Sequence, residues 1–340
     1  MLSSPKRIFR TAIGLVLAGV FLYFAFRGVN LQELWSTLLQ VNVEWVIVLV
    51  PVGLASHWVR AWRWGYLLRP MKRATSTRNL FSAVMIGYMV NNTLPRAGEV
   101  VRAYVAGKLE GISKSSTLGS VVAERMIDMI SFFFILCLVF FVYPNALNPF
   151  VDDAETLRPL FLIGSIAGIA LFVLLFVKID ALERLVKPLS SILPQKYQPK
   201  IERLTSSFVS GFGVAKMPET FAPVIGLSFL MWLLYALGMY VIFFAFDALV
   251  DLRLGFGAAV VLLTISTIAF ILPAPGAFGT FHSFLTFALV KLYGVDNVTA
   301  LGYTIVVHEV GFVTVAVVGL FYFLRDNFKL AEVSAQAGGG

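Results

Sequence analysis

Three groups of residues in this 340-residue chain have types and spacings that allow chemistry. In NNTLPRAGEVVR (91–102), Arg96, Glu99 and Arg102 follow a break at Pro95 and Gly98, with Asn91 and Asn92 directly before it. Glu99 and Arg102 are three apart and so share a helical face. A helix starting after such a break offers unpaired N–H groups and its positive dipole end to an anion, and Arg forks fit phosphate oxygens. In AERMIDM (123–129), Glu124 and Asp128 are four apart and Arg125 lies three before Asp128. They project from adjacent faces of one helix and can pair with Arg96 or Arg102. The third group is His282, following a second break, with His308 and Glu309. Glu309 is the thirteenth of 28 residues in NVTALGYTIVVHEVGFVTVAVVGLFYFL, near the middle of an apolar run.

The chemistry these groups suggest is the holding of a phosphate-bearing headgroup. Arg96, Arg102 and Arg125 would hold the phosphate, with Glu99, Glu124 and Asp128 orienting their guanidiniums. His282, His308 and Glu309 would relay a proton or polarise a headgroup. Each group also has a purely structural reading: an ion pair that pins the break, an Arg125–Asp128 pair within one helix, and a His–Glu hydrogen bond that locks two helices.

The elements that must position these residues follow from composition. Apolar residues make up 59% of the chain and charged residues 14%, against about 25% charged in soluble domains. Uncharged runs cover 159–177, 220–246 and 254–290, and about 20 apolar residues suffice to cross a bilayer core. The expected fold is all-α: a polytopic integral membrane protein in a single transmembrane domain, 1–330, with a disordered tail at 331–340. The basic, apolar N-terminus lacks a small-residue cleavage site and reads as an uncleaved first span. The single Cys137 excludes a disulfide framework, and three His with no Cys pair argue against a structural zinc site, so no metal and no cofactor are expected. The net charge of +8 is explained by basic cytoplasmic loops, not by nucleic acid.

Full spans are expected at 8–26, 44–66, 117–143, 158–178, 220–247 and 297–324. Segments 79–110 and 254–293 do not fit as single spans. The first breaks at Pro95 and Gly98, the second within LPAPGAFG at Pro273, Pro275, Gly276 and Gly279. Basic residues precede the first span, follow the second and last, and fill 179–219, while 143–156 carries three acids and no base. The positive-inside rule places the basic segments and both termini in the cytoplasm of a cell (inner) membrane protein. That assignment holds only if each odd segment crosses an even number of times. Two oppositely oriented re-entrant hairpins result, a pattern that points to a transporter-type site between two halves. Apolar residues at helical spacing (Leu31, Leu34, Trp35, Leu38, Leu39; Leu182 to Leu193; Ile201, Leu204, Phe208, Phe212) read either as helices lying on the membrane or as packing that caps the bundle. Trp58, Trp62, Trp64, Arg60, Arg63 and Arg69 read most simply as an interfacial belt, with contact to anionic lipid headgroups as the second reading.

At these motifs the chain resembles the lysylphosphatidylglycerol synthase transmembrane region, or flippase-like, family. NNTLPRAGEVVR followed by AERMID is similar to that family's N-x-x-LP-x-R-x-GE-x-x-R and E-R-x-x-D pattern, except that Arg96 follows Pro95 directly. PAPGAFGTFHSF resembles its second hairpin motif, with His282 where Glu is frequent; in the last span an Arg is frequent near His308 and Glu309. The resemblance spans essentially the whole chain. It implies a membrane protein, not an enzyme, that moves or helps move a phospholipid or polyprenyl-phosphate lipid between leaflets. Because the chain stops soon after its last span, the lysine transfer of larger relatives is not expected. A homo-oligomer is compatible with this reading. A secondary transporter of a small solute, and a membrane enzyme acting on a polyprenyl-phosphate lipid, stay open beside it.

Overall fold

The structure is a computed structural model that describes residues 16, 18–94, 96–143, 154–190, 195, 198–272 and 274–329. Pro95, Pro273, most of the basic N-terminus, the acidic segment 144–153 and the tail 331–340 lie outside the described residues. The described chain is helical throughout, without a strand: α1 (18–26), α2 (Leu31–Leu39), α3 (Val43–Leu68), α4 (Thr77–Thr93), α5 (Ala97–Glu110), α6 (Lys114–Val142), α7 (Ala154–Val177), α8 (Ala181–Ser190), α9 (Gln198–Ser210), α10 (Phe221–Val241), α11 (Asp247–Asp251), α12 (Phe256–Ala269), α13 (Thr280–Tyr293) and α14 (Asn297–Arg325).

Among the described residues, five helical stretches are long and apolar enough to cross a membrane: Val43–Leu68, Lys114–Val142, Glu155–Val177, Pro218–Ala245 and Asn297–Arg325. They coincide with five of the six expected spans; of the sixth, 8–26, the structure describes residues 16 and 18–26. Polar caps set several helix starts. Asn42, Ser76, Ser113 and Asp296 accept hydrogen bonds from first-turn N–H groups of α3, α4, α6 and α14.

The helices α4, α5, α12 and α13 contain 17, 14, 14 and 14 residues. At 1.5 Å per residue they are about 21–26 Å long, short of a hydrocarbon core of about 30 Å. They form two hairpins. The base of the first is tied by Glu110, whose carboxylate accepts from Lys72 Nζ (2.7 Å), Asn79 Nδ2 (2.7 Å) and the Ser76 N–H (3.2 Å). The two arms touch where Gly98 meets Gly87; a methyl on Gly87 would lie 2.8 Å from both Gly98 O and Arg102 Cβ. Small residues there let the backbones approach.

Helix α14 acts as a ruler for both hairpins. Along α4, Phe81 packs on Tyr322 at 5.5 Å and Asn92 donates to Phe312 O at 3.2 Å, so α4 climbs as α14 descends in number. Along α13, His282 packs on His308 at 4.8 Å and Thr286 Oγ1 donates to Thr304 Oγ1 at 3.4 Å. The base of the first hairpin therefore sits at the C-terminal end of α14, where Ser82 bonds Asp326 (2.5 Å), and the base of the second at its N-terminal end. The tips meet beside His308–Phe312. Arg96 Nη2 donates to Ile271 O across the tips (3.1 Å), and a Cβ on Gly276 would lie 3.3 Å from Asn92 O.

Each half has its own apolar core. One gathers Trp64, Leu67, Leu68, Ile86 and Val105 around the first hairpin; the other gathers Phe243, Leu262, Leu285, Leu289 and Tyr303 around the second. The surface helix α2 packs Leu34 against Leu301 while Leu31, Trp35 and Leu39 stay exposed. In α9, by contrast, Phe208 packs on the buried Phe212.

Candidate functional site: an arginine–carboxylate cluster and a histidine–glutamate tip

The helical register of α6 carries Glu124 and Asp128 on one face, and that face meets α3, α5 and α10. Glu124 is fully buried and receives Arg60, Arg102 and, at 3.2 Å, Arg63. Asp128 receives Arg60 at 2.9 Å and Arg63 at 2.6 Å. Arg125 bridges outward, to Glu99 at 3.0 Å and to Asp128 at 3.5 Å. Arg102 lies with its guanidinium 3.9 Å from the Trp64 ring centroid, a cation–π seat, and Trp64 Nε1 donates to Ser120 Oγ at 3.0 Å. On the α10 side, Arg60 donates to Tyr235 Oη at 3.2 Å and Arg63 to Ser228 Oγ at 2.8 Å.

Four arginines (60, 63, 102, 125) thus face three carboxylates (99, 124, 128), leaving one positive charge in excess. Such charges are expensive in an apolar slab and persist only when paired. Some donors remain unspent: Arg102 Nε and Nη1, Arg63 Nε and Arg125 Nε are buried without a partner. The accessible edge is the Glu99–Arg125 pair, whose side chains are partly exposed. A cluster with surplus charge, spare N–H groups and one open edge can take an anion.

Of the residues singled out in the sequence, Glu99, Arg102, Glu124, Arg125 and Asp128 come together here. Arg96 does not. It is exposed, adopts φ 65° at the start of α5, and binds the opposite hairpin tip. The left-handed turn that reverses the chain after Leu94 swings this side chain away from α6. Asn91 and Asn92 build the hairpin: Asn91 Oδ1 accepts the Gly98 N–H at 2.7 Å, and Asn92 holds the Phe312 carbonyl. Gly276 and Gly279 lie in the second break as expected, with φ 55° and 78°, whereas Gly98 falls past the first break, in the opening turn of α5, because the chain resumes helix at Ala97. Pro275 opens the short 3₁₀ turn Pro275–Ala277.

Arg60 and Arg63 are the residues sequence reasoning missed. Assigned to an interfacial belt, they are 4% and 0% exposed, in the heart of the cluster. The signal was present: the expected span 44–66 already enclosed them, and their three-residue spacing puts both on one face. What concealed the role was the neighbouring Trp and Arg residues, which imitate a belt.

The third group converges at the meeting of the tips. His308 Nε2 lies 2.7 Å from Gly276 O and Nδ1 lies 2.9 Å from Glu309 Oε1. His282 Nε2 is 3.7 Å from the same oxygen. Phe278, Phe281 and Phe312 surround the two imidazoles.

The family described as lysylphosphatidylglycerol synthase TM region matches residues 11–319. The chain belongs to that family. Among relatives of this family member, a UPF0104 membrane protein of Methanocaldococcus jannaschii is 28% identical over 38% of this chain and 39% of its own length. Two UPF0104 membrane proteins of Methanothermobacter thermautotrophicus are 29% and 24% identical, over 64% and 82% of this chain and 66% and 83% of theirs. The matched stretch is thus less than two thirds of the first two relatives. No solved structure matches the chain. Family membership makes this an integral membrane protein of a lipid-related family, in keeping with its apolar helices.

Proposed function

We propose that this protein is a lipid flippase-like protein, not an enzyme. It binds a phosphate-bearing phospholipid or polyprenyl-phosphate lipid at the arginine–carboxylate cluster and passes it between leaflets of the cell membrane. Both termini lie in the cytoplasm and both hairpins are re-entrant, sheltering a polar path between them. The carrying observation is Ser228. Its hydroxyl accepts from Arg63, and it also lines an apolar cavity of about 520 Å³ between α6, α7, α10 and α12, together with Ile130, Phe134, Trp232 and Leu263. Headgroup chemistry and a chain-sized apolar groove thus share one wall. Pockets for small ligands are mostly apolar with a few placed polar groups; here the polarity sits at one end, as an amphiphile requires.

Exchange of a fluorescent phospholipid between leaflets of reconstituted vesicles tests the proposal. Arg102→Ala, which removes a cation, and Ser131→Trp, which plugs the groove without touching an arginine, should each stop exchange while the protein stays monodisperse. Full exchange by both variants contradicts the reading, and solute uptake without lipid exchange redirects it to a transporter. Mass spectrometry of co-purified lipid identifies the headgroup.

A further inference from the structure

We infer that His282, His308 and Glu309 form a binding site for a divalent first-row transition-metal ion of the zinc class, joining the second hairpin tip to α14. His308 donates its Nε2–H to the Gly276 carbonyl, 2.7 Å away, so Nδ1 carries the lone pair. That lone pair faces a carboxylate oxygen, Glu309 Oε1, at 2.9 Å. Two acceptors at this distance need a positive species between them, a proton or a metal ion. His282 decides between these. It is 3% exposed, its Nδ1 is buried without a partner, and its Nε2 points at the same Glu309 oxygen from 3.7 Å, beyond hydrogen-bond reach. A shared proton leaves this imidazole unused; a metal ion engages it.

The geometry fits. One ligand atom from each of the three residues lies within 4.8 Å of the others. With bonds of about 2.0–2.1 Å, tetrahedral ligands sit roughly 3.4 Å apart; the two separations to Glu309, 2.9 and 3.7 Å, bracket that value, and the widest in the trio, up to 4.8 Å, must shorten when an ion binds. The His308 contact to the Gly276 carbonyl is the outer hydrogen bond that fixes a ligating imidazole's tautomer. Gly276 reaches it with φ 55°, and a Cβ there would crowd Phe312 at 3.1 Å. Phe278, Phe281 and Phe312 wall the imidazoles, while Glu309, 37% exposed in its side chain, leaves one side open. Two imidazoles, one carboxylate and an open position suit zinc or a neighbouring ion, and not Mg²⁺ or Ca²⁺, which prefer oxygen. This inference stands apart from the lipid reading, and either can fail alone.

The test uses the full chain without a polyhistidine tag, loaded with Zn²⁺, freed of excess by gel filtration and assayed for metal content. About one ion per chain is expected, with loss to background in His282→Ala and His308→Ala. Glu309→Gln should weaken affinity by at least the roughly 10–100-fold that outer-shell changes cost at such sites. Titration of the wild-type chain with Co²⁺ reads the coordination directly, so a variant that fails to fold does not decide the matter. Saturable visible bands of four- or five-coordinate intensity support the site. Wild-type protein that takes up no Zn²⁺ and develops no Co²⁺ band overturns it and assigns the positive charge to a proton. Retention of the ion by the His282→Ala/His308→Ala double variant overturns it too, placing the metal elsewhere.

Discussion

In the first half the chain leaves α4 at Leu94 and resumes helix at Ala97; in the second it leaves α12 at Ala269 and resumes at Thr280. Both breaks use left-handed backbone, Arg96 in one, Gly276, Ala277 and Gly279 in the other. The loads differ. The first hairpin sends Glu99 and Arg102 into a cluster of seven ionised side chains drawn from α3, α5 and α6. The second sends one imidazole into an aromatic box with a neighbouring His–Glu pair. The same backbone device therefore serves two kinds of stability. In the first half each charge is tolerated because of the others. In the second, a partly exposed carboxylate and two imidazoles tolerate loss of a partner.

The sharpest way to break this contrast is to remove one carboxylate from each half. Glu124→Gln leaves the buried Arg102 without a carboxylate and Arg60 and Arg63 with Asp128 alone, and removing one member of such a set costs about 3–5 kcal/mol. Glu309→Gln in metal-free protein should cost about 1 kcal/mol or less, a lost hydrogen bond at a partly exposed side chain. Thermal unfolding in detergent measures both; equal losses refute the distinction.

Next in size is the crossing of the first hairpin's arms. A methyl at Gly98 would meet Gly87 O and sit 2.6 Å from Asn91 Cγ, so Gly98→Ala should cost about 1–3 kcal/mol by overpacking. Gly276→Ala, where the nearest atoms lie at 3.1–3.3 Å, should lose about 1–2 kcal/mol, chiefly from left-handed backbone strain with a small displacement of the Phe312 ring. Chemical unfolding of the two variants side by side ranks them.

A smaller effect separates the helix starts. Asn91→Ala removes the Oδ1 acceptor at the start of α5 and should cost about 1 kcal/mol, as lost N-caps do. α13 has no side-chain cap to lose. The expected readout is faster amide exchange in 97–100 with no change in 280–283. Smallest of all is Arg96→Ala, which breaks one exposed hydrogen bond between the tips, worth about 0.5 kcal/mol. Its signature is local: raised exchange at 270–272 without a shift in the global transition. A large global shift would mean that Arg96 belongs to the buried cluster after all.

Much of this molecule could be read along the chain. The apolar runs announced membrane helices because a bilayer tolerates only backbone that satisfies itself. Pro and Gly marked both breaks, since neither residue continues a helix without cost. The spacing of Glu124, Arg125 and Asp128 placed three ionised groups on one span, and the structure brings His282, His308 and Glu309 close to one another. The tertiary structure alone decided which faces meet. Arg60 and Arg63 join Glu124 and Asp128 across 61 to 68 residues of sequence, a separation at which helical periodicity carries no information. A repeat of 3.6 fixes the residues that share a face of one helix, but not the helix that face will meet. For the same reason Arg96, adjacent to the break in sequence, turned to the opposite tip: one left-handed residue redirects a side chain, and the sequence shows the break without showing its hand.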